Sequence, residues 1–204
     1  MANVFHRSTI ALAVLALLYE APMHPYRMQQ LIKERGKDEV INVQQRASLY
    51  QTIKQLLRAG LIKIRETERA PKRPERTIYA LTEEGRKTMH DWLREMLSTP
   101  ASEFPEFPAA LAYLPLLTPE DALLQLDKRA NALAAEFTRI DMQLQNTMQS
   151  VPRLFLIEME YLRAALSTEL TWVRSLIDDL KTGRLTWSDT WNTEVAAQLT
   201  SAEE

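Results

Sequence analysis

Tyr50, Gln51, Lys54, Gln55 and Arg58 follow one another at steps of one, three, one and three, the rhythm that collects side chains on one face of a helix. The set holds two cations, two amides and a phenol, and no acidic residue occurs between Ala47 and Arg65. A solvated helix face ordinarily mixes its signs, whereas this one suits a major groove. Gln pairs with adenine edges, Arg or Lys with guanine, and the hydroxyls of Tyr50 and Ser48 reach phosphate. Further along, Pro71-Lys72-Arg73-Pro74 clamps two cations between two imino acids, with Arg65, Arg69 and Arg76 extending the basic edge and Glu66, Glu68 and Glu75 tempering it. The prolines reduce the entropy lost when Lys72 and Arg73 are held along a phosphate backbone or in a minor groove. Proline-bounded charge also keeps loops soluble, so the weight of this motif depends on what precedes it.

Other chemistries find little support. His6, His24 and His90 are scattered, no metalloprotease, nucleophile-elbow or glycine-rich phosphate motif occurs, and there is no cysteine to serve as nucleophile or zinc ligand. No enzyme activity, metal or cofactor is expected, and carboxylates such as Asp178-Asp179 read as a solvated helix face. Trp92 with Met89 and Met96 admits two readings: simple core filling, or the lining of a pocket for a flat apolar effector between subunits. Trp187 and Trp191, four residues apart in a polar tail, are spaced to dock on a groove that the sequence does not identify.

The elements that must position these groups are legible from periodicity. A first helix runs from about Thr9 to Glu20, and a second starts at Pro25 and stops at Gly36. A third covers about Ala47 to Ala59, with Leu49, Ile53, Leu56 and Leu57 on its inner face and Gly60 as its left-handed end. The period then changes from helical to alternating, giving a strand at Leu61–Arg65 and a partner at Thr77–Leu81. Three helices followed by a hairpin is the layout of a winged helix-turn-helix, with the Pro71–Pro74 block at the tip of the wing. Thr82 caps a fourth helix through Met96.

Prolines at 100, 105, 108, 115 and 119 mark a boundary with short helical pieces, and Thr118-Pro119 with Asp121 announces the next long helix. Leu123, Leu126, Ala130, Leu133, Phe137, Ile140, Leu144 and Met148 then step by three and four. After Ser150-Val151-Pro152 the pattern resumes through Phe155, Met159, Leu162, Leu166, Leu170, Val173, Ile177 and Leu180. Two helices of roughly 30 residues give an antiparallel pair ~45 Å long. Leu156, Ile157, Tyr161, Trp172 and Leu176 lie off the main stripe, so covering them takes either the fourth helix or a second copy of the chain. The organisation expected is therefore a winged domain at 1–97, a proline-rich linker at 98–118, a helical domain at 119–183 and a polar tail at 184–204.

Bulk properties agree with this division. The 204 residues carry a net charge of -2, but residues 1–97 hold 17 Lys+Arg against 11 Asp+Glu and the remainder 8 against 16. A basic half joined to an acidic half points to a polyanion met by the first half alone. The absence of cysteine fits a cytoplasmic protein. The apolar run Ile10–Tyr19 is far shorter than the ~20 residues of a membrane span and lacks a small-x-small cleavage site, so it reads as a buried core helix and no membrane partner is expected.

With these residues in hand the chain resembles the PadR-like transcriptional regulators, specifically those with a long C-terminal helical domain. The match rests on LYEAPMHPYRMQQLIKERG, RASLYQTIKQLLRAGLI, TIYALTEEGR and ELTWVRSLIDDLKTG, and extends to about Gly183. Two departures stand out: Pro25 occupies a position where members often have Gly, and Gln51 one where they often have Pro. The resemblance implies a homodimeric, usually repressing regulator that binds double-stranded DNA at a pseudo-palindromic operator, with the acidic helices as dimerisation arms and a phenolic or other aromatic effector in some members. On this footing Leu162, Leu166, Leu170, Val173 and Ile177 are expected in dimerisation, and Ser48, Tyr50, Gln51, Lys54, Gln55, Arg58, Lys72, Arg73 and Arg76 at DNA. The expected fold is mainly α, a winged helix-turn-helix plus a long antiparallel helical hairpin. The competing expectation is a winged-helix protein–protein adaptor that does not bind DNA.

Overall fold

The computed structural model describes residues 7–42, 46–68, 76–101 and 103–188, without the side chains of residues 46, 47, 68 and 76. It divides into two compact units, residues 1–102 and 103–204.

The first unit is built around α1 (Thr9–Glu20), whose Ala11, Val14 and Leu15 are fully buried. The apolar run that imitates a signal peptide is thus the central core helix, touched by every later helix and by the second strand of the unit. Ser8 caps it by accepting the Ala11 N–H at 3.2 Å. α2 (Pro25–Glu34) begins at the expected proline and is capped by His24, whose Nδ1 accepts the Arg27 N–H at 3.0 Å. A 3-10 turn at Lys37–Glu39 follows, then α3 (Arg46–Arg58). Gly60, at φ +72°, makes the left-handed exit from α3, a region L side chains rarely enter.

β1 (Ile62–Glu68) pairs antiparallel with β2 (Arg76–Leu81), and α4 (Glu83–Ser98) closes the unit. β1 runs three residues beyond the expected strand, because its pairing survives a bulge. Ile64 faces Tyr79 but Glu66 faces Ile78, leaving Arg65 as the extra residue. At the root of the hairpin the Thr82 hydroxyl lies 2.8 Å from the Gly60 carbonyl and 2.9 Å from that of Leu61, donating to the pair, while it accepts the Gly85 N–H at 3.0 Å. Gly85 packs so tightly that a Cβ there would overlap the Leu61 carbonyl oxygen. The three-helix-plus-hairpin layout is therefore a winged helix, as the change of period predicted.

The second unit opens with α5 (Glu106–Ala112) and a 3-10 turn at Leu114–Leu116, followed by α6 (Pro119–Met148) and α7 (Ile157–Lys181). Thr118 caps α6 by accepting the Asp121 N–H at 3.2 Å, with Pro119 at the first helical position. α6 and α7 form the expected hairpin, sealed by Leu126, Ala130 and Leu133 against Leu170, Val173 and Ile177. A smaller cluster of Leu144, Leu156 and Met159 closes its turn.

Three expectations fail at that turn. Phe155 belongs to a 3-10 turn, Arg153–Phe155, and is exposed, while its neighbour Leu156 is buried and Met148 is exposed. The backbone at Leu156 (φ -121°, ψ -3°) interrupts the helical phase between Pro152 and α7. A stripe counted across the break therefore selects the wrong one of two adjacent apolar residues.

Candidate nucleic-acid interface

α3 sorts its side chains by face. Leu49, Ile53 and Leu56 are buried against α1 and its neighbours, whereas Tyr50, Gln51, Lys54, Gln55 and Arg58 are all exposed. Ser48 is half-buried near the start of the helix, and its carbonyl accepts the hydroxyl of the buried Thr52 at 2.9 Å. That bond satisfies the only polar side chain among the buried residues described in this core, so α3 sits on the unit without an unmet hydrogen bond at Thr52. The result is a rigid rod with an outward strip of amide, phenol and cation, free of carboxylates along its length.

The hairpin stands beside this strip. β1 packs against α3, and on β2 burial pushes the Tyr79 phenol up, with a smaller contribution from Tyr50. Sequence reasoning assigns Tyr79 to a strand and misses the bulge at Arg65, which shifts the pairing only on the tip side of the Ile64–Tyr79 pair and leaves no mark in the alternation. The connector between α1 and α2 is stitched to the same place. Met23 N–H donates to the Tyr79 carbonyl at 3.1 Å and Tyr79 N–H to that of Met23 at 3.0 Å. β2 is thereby held on both edges, by β1 and by Met23, so the wing springs from a fixed base. Lys63 and Arg65 are exposed on β1. Lys72 and Arg73 lie outside the described residues, as does the side chain of Arg76, whose backbone opens β2.

The remaining candidates are distributed over both units. Met89 is buried in the core of the first unit and Trp92 packs against that core, with Met96 half-buried further along α4. In the second unit Leu170, Val173 and Ile177 are buried against α6 within one chain, Leu162 and Leu166 are half-buried, and Tyr161 and Trp172 stand exposed. Phe107 of α5 meets Trp172 edge-on at 6.1 Å, and the Arg129 guanidinium lies 3.5 Å from the centroid of the Phe107 ring. Trp187 is resolved to a definite partner: its indole N–H donates to the Leu117 carbonyl at 2.8 Å. Trp191 lies outside the described residues.

Comparison with known proteins extends these observations. The model of the transcriptional regulator PadR-like family matches residues 14–91, which span the winged helix from α1 into α4. Bacillus subtilis PadR solved with operator DNA aligns over 85% of this chain and 99% of its own, at 18% identity and a TM-score of 0.68. The same protein solved with p-coumaric acid gives 0.69 at the same identity and coverage. The Vibrio cholerae virulence activator AphA gives 0.59 at 15% identity, over 85% of this chain and 99% of its own. At such identities the likeness is one of fold, and no curated protein matches the chain. The winged helix at 14–91, with its carboxylate-free α3 face and twice-anchored hairpin, is the part of the chain that matches the transcriptional regulator PadR-like family.

Proposed function

We propose that the protein is a sequence-specific regulator of transcription that binds double-stranded DNA as a homodimer, laying α3 in the major groove and the wing along the adjacent backbone. The observation that carries this reading is the outward strip of α3, where five exposed side chains can donate or accept hydrogen bonds and none is acidic. Bacillus subtilis PadR, similar in fold, was solved with operator DNA, which supports the same use here. Gln51 and Gln55 are the natural readers of base edges, Lys54 and Arg58 of guanine or phosphate, and Ser48 and Tyr50 of phosphate. Lys72, Arg73 and Arg76 extend the contact from the wing.

In this reading the C-terminal helices pair two chains. Leu162, half-exposed, together with Tyr161 and Trp172 is available for that contact, and the partly exposed Leu166 adds to it, since Leu170, Val173 and Ile177, with Leu166 packed beside them, already seal the hairpin of each chain. The regulator acts as a repressor released by a small-molecule effector; the complex of Bacillus subtilis PadR with p-coumaric acid supports the small-molecule part of this reading.

Fluorescence anisotropy of the full chain on duplex DNA from upstream of its own gene tests the proposal. The expected result is a site bound at least about 10³-fold more tightly than random duplex at the same salt concentration. Equal affinity for both would overturn it.

A further inference from the structure

Within the first unit a recessed cleft of about 430 Å3 is walled by Leu12 and Ala16 of α1, Leu31 of α2, Leu93 of α4 and Ile41 of the segment that follows the 3-10 turn. Its lining is aliphatic except for Thr9, Lys37 and the pair Glu20 and Arg35. There the guanidinium clasps the carboxylate through two bonds of 2.6 and 2.7 Å. We propose that this cleft binds a small hydrophobic molecule of roughly 10 to 20 heavy atoms carrying one hydrogen-bond acceptor, and that the bound molecule acts on α3 through the α2–α3 connector.

The occupant follows from the shape and chemistry of the site. A pocket of this size, concave and apolar with a few polar groups, suits a compact ligand. A guanidinium has five N–H groups and the clasp engages two, so an acceptor on the ligand meets a donor while its apolar body covers the aliphatic wall. The coupling follows from the chain path. Val40 and Ile41 line the cleft and stand only six and five residues before α3 begins at Arg46. A molecule seated against them biases the position of the connector that enters the DNA-reading helix, with no need to act through the C-terminal helices. The cleft is distinct from the Met89 group, because Met89 is buried in the core while Leu93, one turn further along α4, faces the opening.

The effect on DNA rests on the functional reading above, whereas binding to the cleft does not, and the two are measured separately. Full-length protein labelled with 13C at Ile, Leu and Val methyls is titrated with octanoate and with naphthalene-2-carboxylate. Saturable shifts are expected at Leu12, Ile41 and Leu93, with Leu170 and Ile177 unmoved. Ala16→Trp and, separately, Leu93→Trp should weaken probe binding at least ten-fold while probe-free operator affinity stays within three-fold. Either probe should change operator affinity at least five-fold in the parent protein and not in the variants. No saturable shift at the cleft methyls, or shifts undiminished in both variants, overturns the site. Loss of probe binding as protein concentration rises also overturns it, since a second copy of the chain would then be the occupant. Cleft shifts with unchanged operator affinity overturn the coupling. Cleft shifts in a protein that binds no operator support the site and overturn the DNA reading.

Discussion

Gln51 is the residue at which base reading and backbone holding separate most cleanly. It is exposed on α3 and bears no charge, so in the proposed docking its amide reads base edges without adding to counterion release. Gln51→Ala is expected to lower affinity for the cognate site by about 1–3 kcal/mol and to leave random duplex unaffected. The double variant Lys72→Ala/Arg73→Ala should do the reverse, weakening all sequences alike and flattening the dependence of log affinity on log salt by about 1 to 2. Titrations at four or more salt concentrations distinguish the two behaviours, and an unchanged slope would remove the wing from the interface. At this scale the sequence was informative where a helix makes the rule. The outward set from Tyr50 to Arg58 follows from a 3.6-residue period once Leu49, Ile53 and Leu56 are taken as the inner face. It was silent where a strand makes the rule, because one bulged residue re-pairs β1 with β2 beyond Ile64 and leaves no mark in the alternation.

Elements hold one another through a few polar and steric contacts that periodicity cannot reveal. Thr82 was legible as a cap, but its hydroxyl also ties the exit of α3 to the start of α4 through the Gly60 and Leu61 carbonyls. Thr82→Ala is expected to cost about 0.5–2 kcal/mol in urea unfolding. Gly85→Ala should cost more than the usual ~1 kcal/mol gained by removing glycine from a helix, since its Cβ meets backbone that cannot rotate away. A Gly85→Ala protein as stable as the parent would show that the α3–β1 turn can retreat. The Glu20–Arg35 clasp joins the ends of α1 and α2, and the Arg35 hydrogen bond holds the Glu20 carboxyl below its ordinary range. A depressed carboxylate stabilises the fold above its unfolded value and loses that contribution as pH falls through its folded value. The parent should therefore melt above Glu20→Gln at pH 7, with the gap closing below about pH 4.3 as both carry a neutral side chain. A gap that persists at pH 2 would assign the effect to something other than the charge.

For the molecule as a whole, the decisive quantity is how many DNA-reading surfaces meet the duplex at once. The residues before 98 carry the excess of cations and those after it the excess of anions, so each chain offers one surface to a polyanion. A single winged domain on one half-site binds weakly at physiological salt, whereas two linked copies convert the second contact into an intramolecular one worth on the order of 10²- to 10⁴-fold. The two-fold symmetry of the proposed homodimer sets half-sites about one helical turn, ~34 Å, apart or at a multiple of that. The exposed Tyr161 on α7 is where this can be broken without touching the core, because the hairpin is sealed by the opposite face through Leu170, Val173 and Ile177. Tyr161→Asp should shift the protein from dimer to monomer by sedimentation velocity, leave its helical circular dichroism unchanged, and weaken operator binding by on the order of 10² or more. Affinity for an isolated half-site should stay the same, since α3 and the wing are untouched. A dimer that survives Tyr161→Asp with full operator affinity would move the subunit contact elsewhere on the chain, while a monomer that still binds the full operator as tightly as the parent would remove dimerisation from recognition altogether.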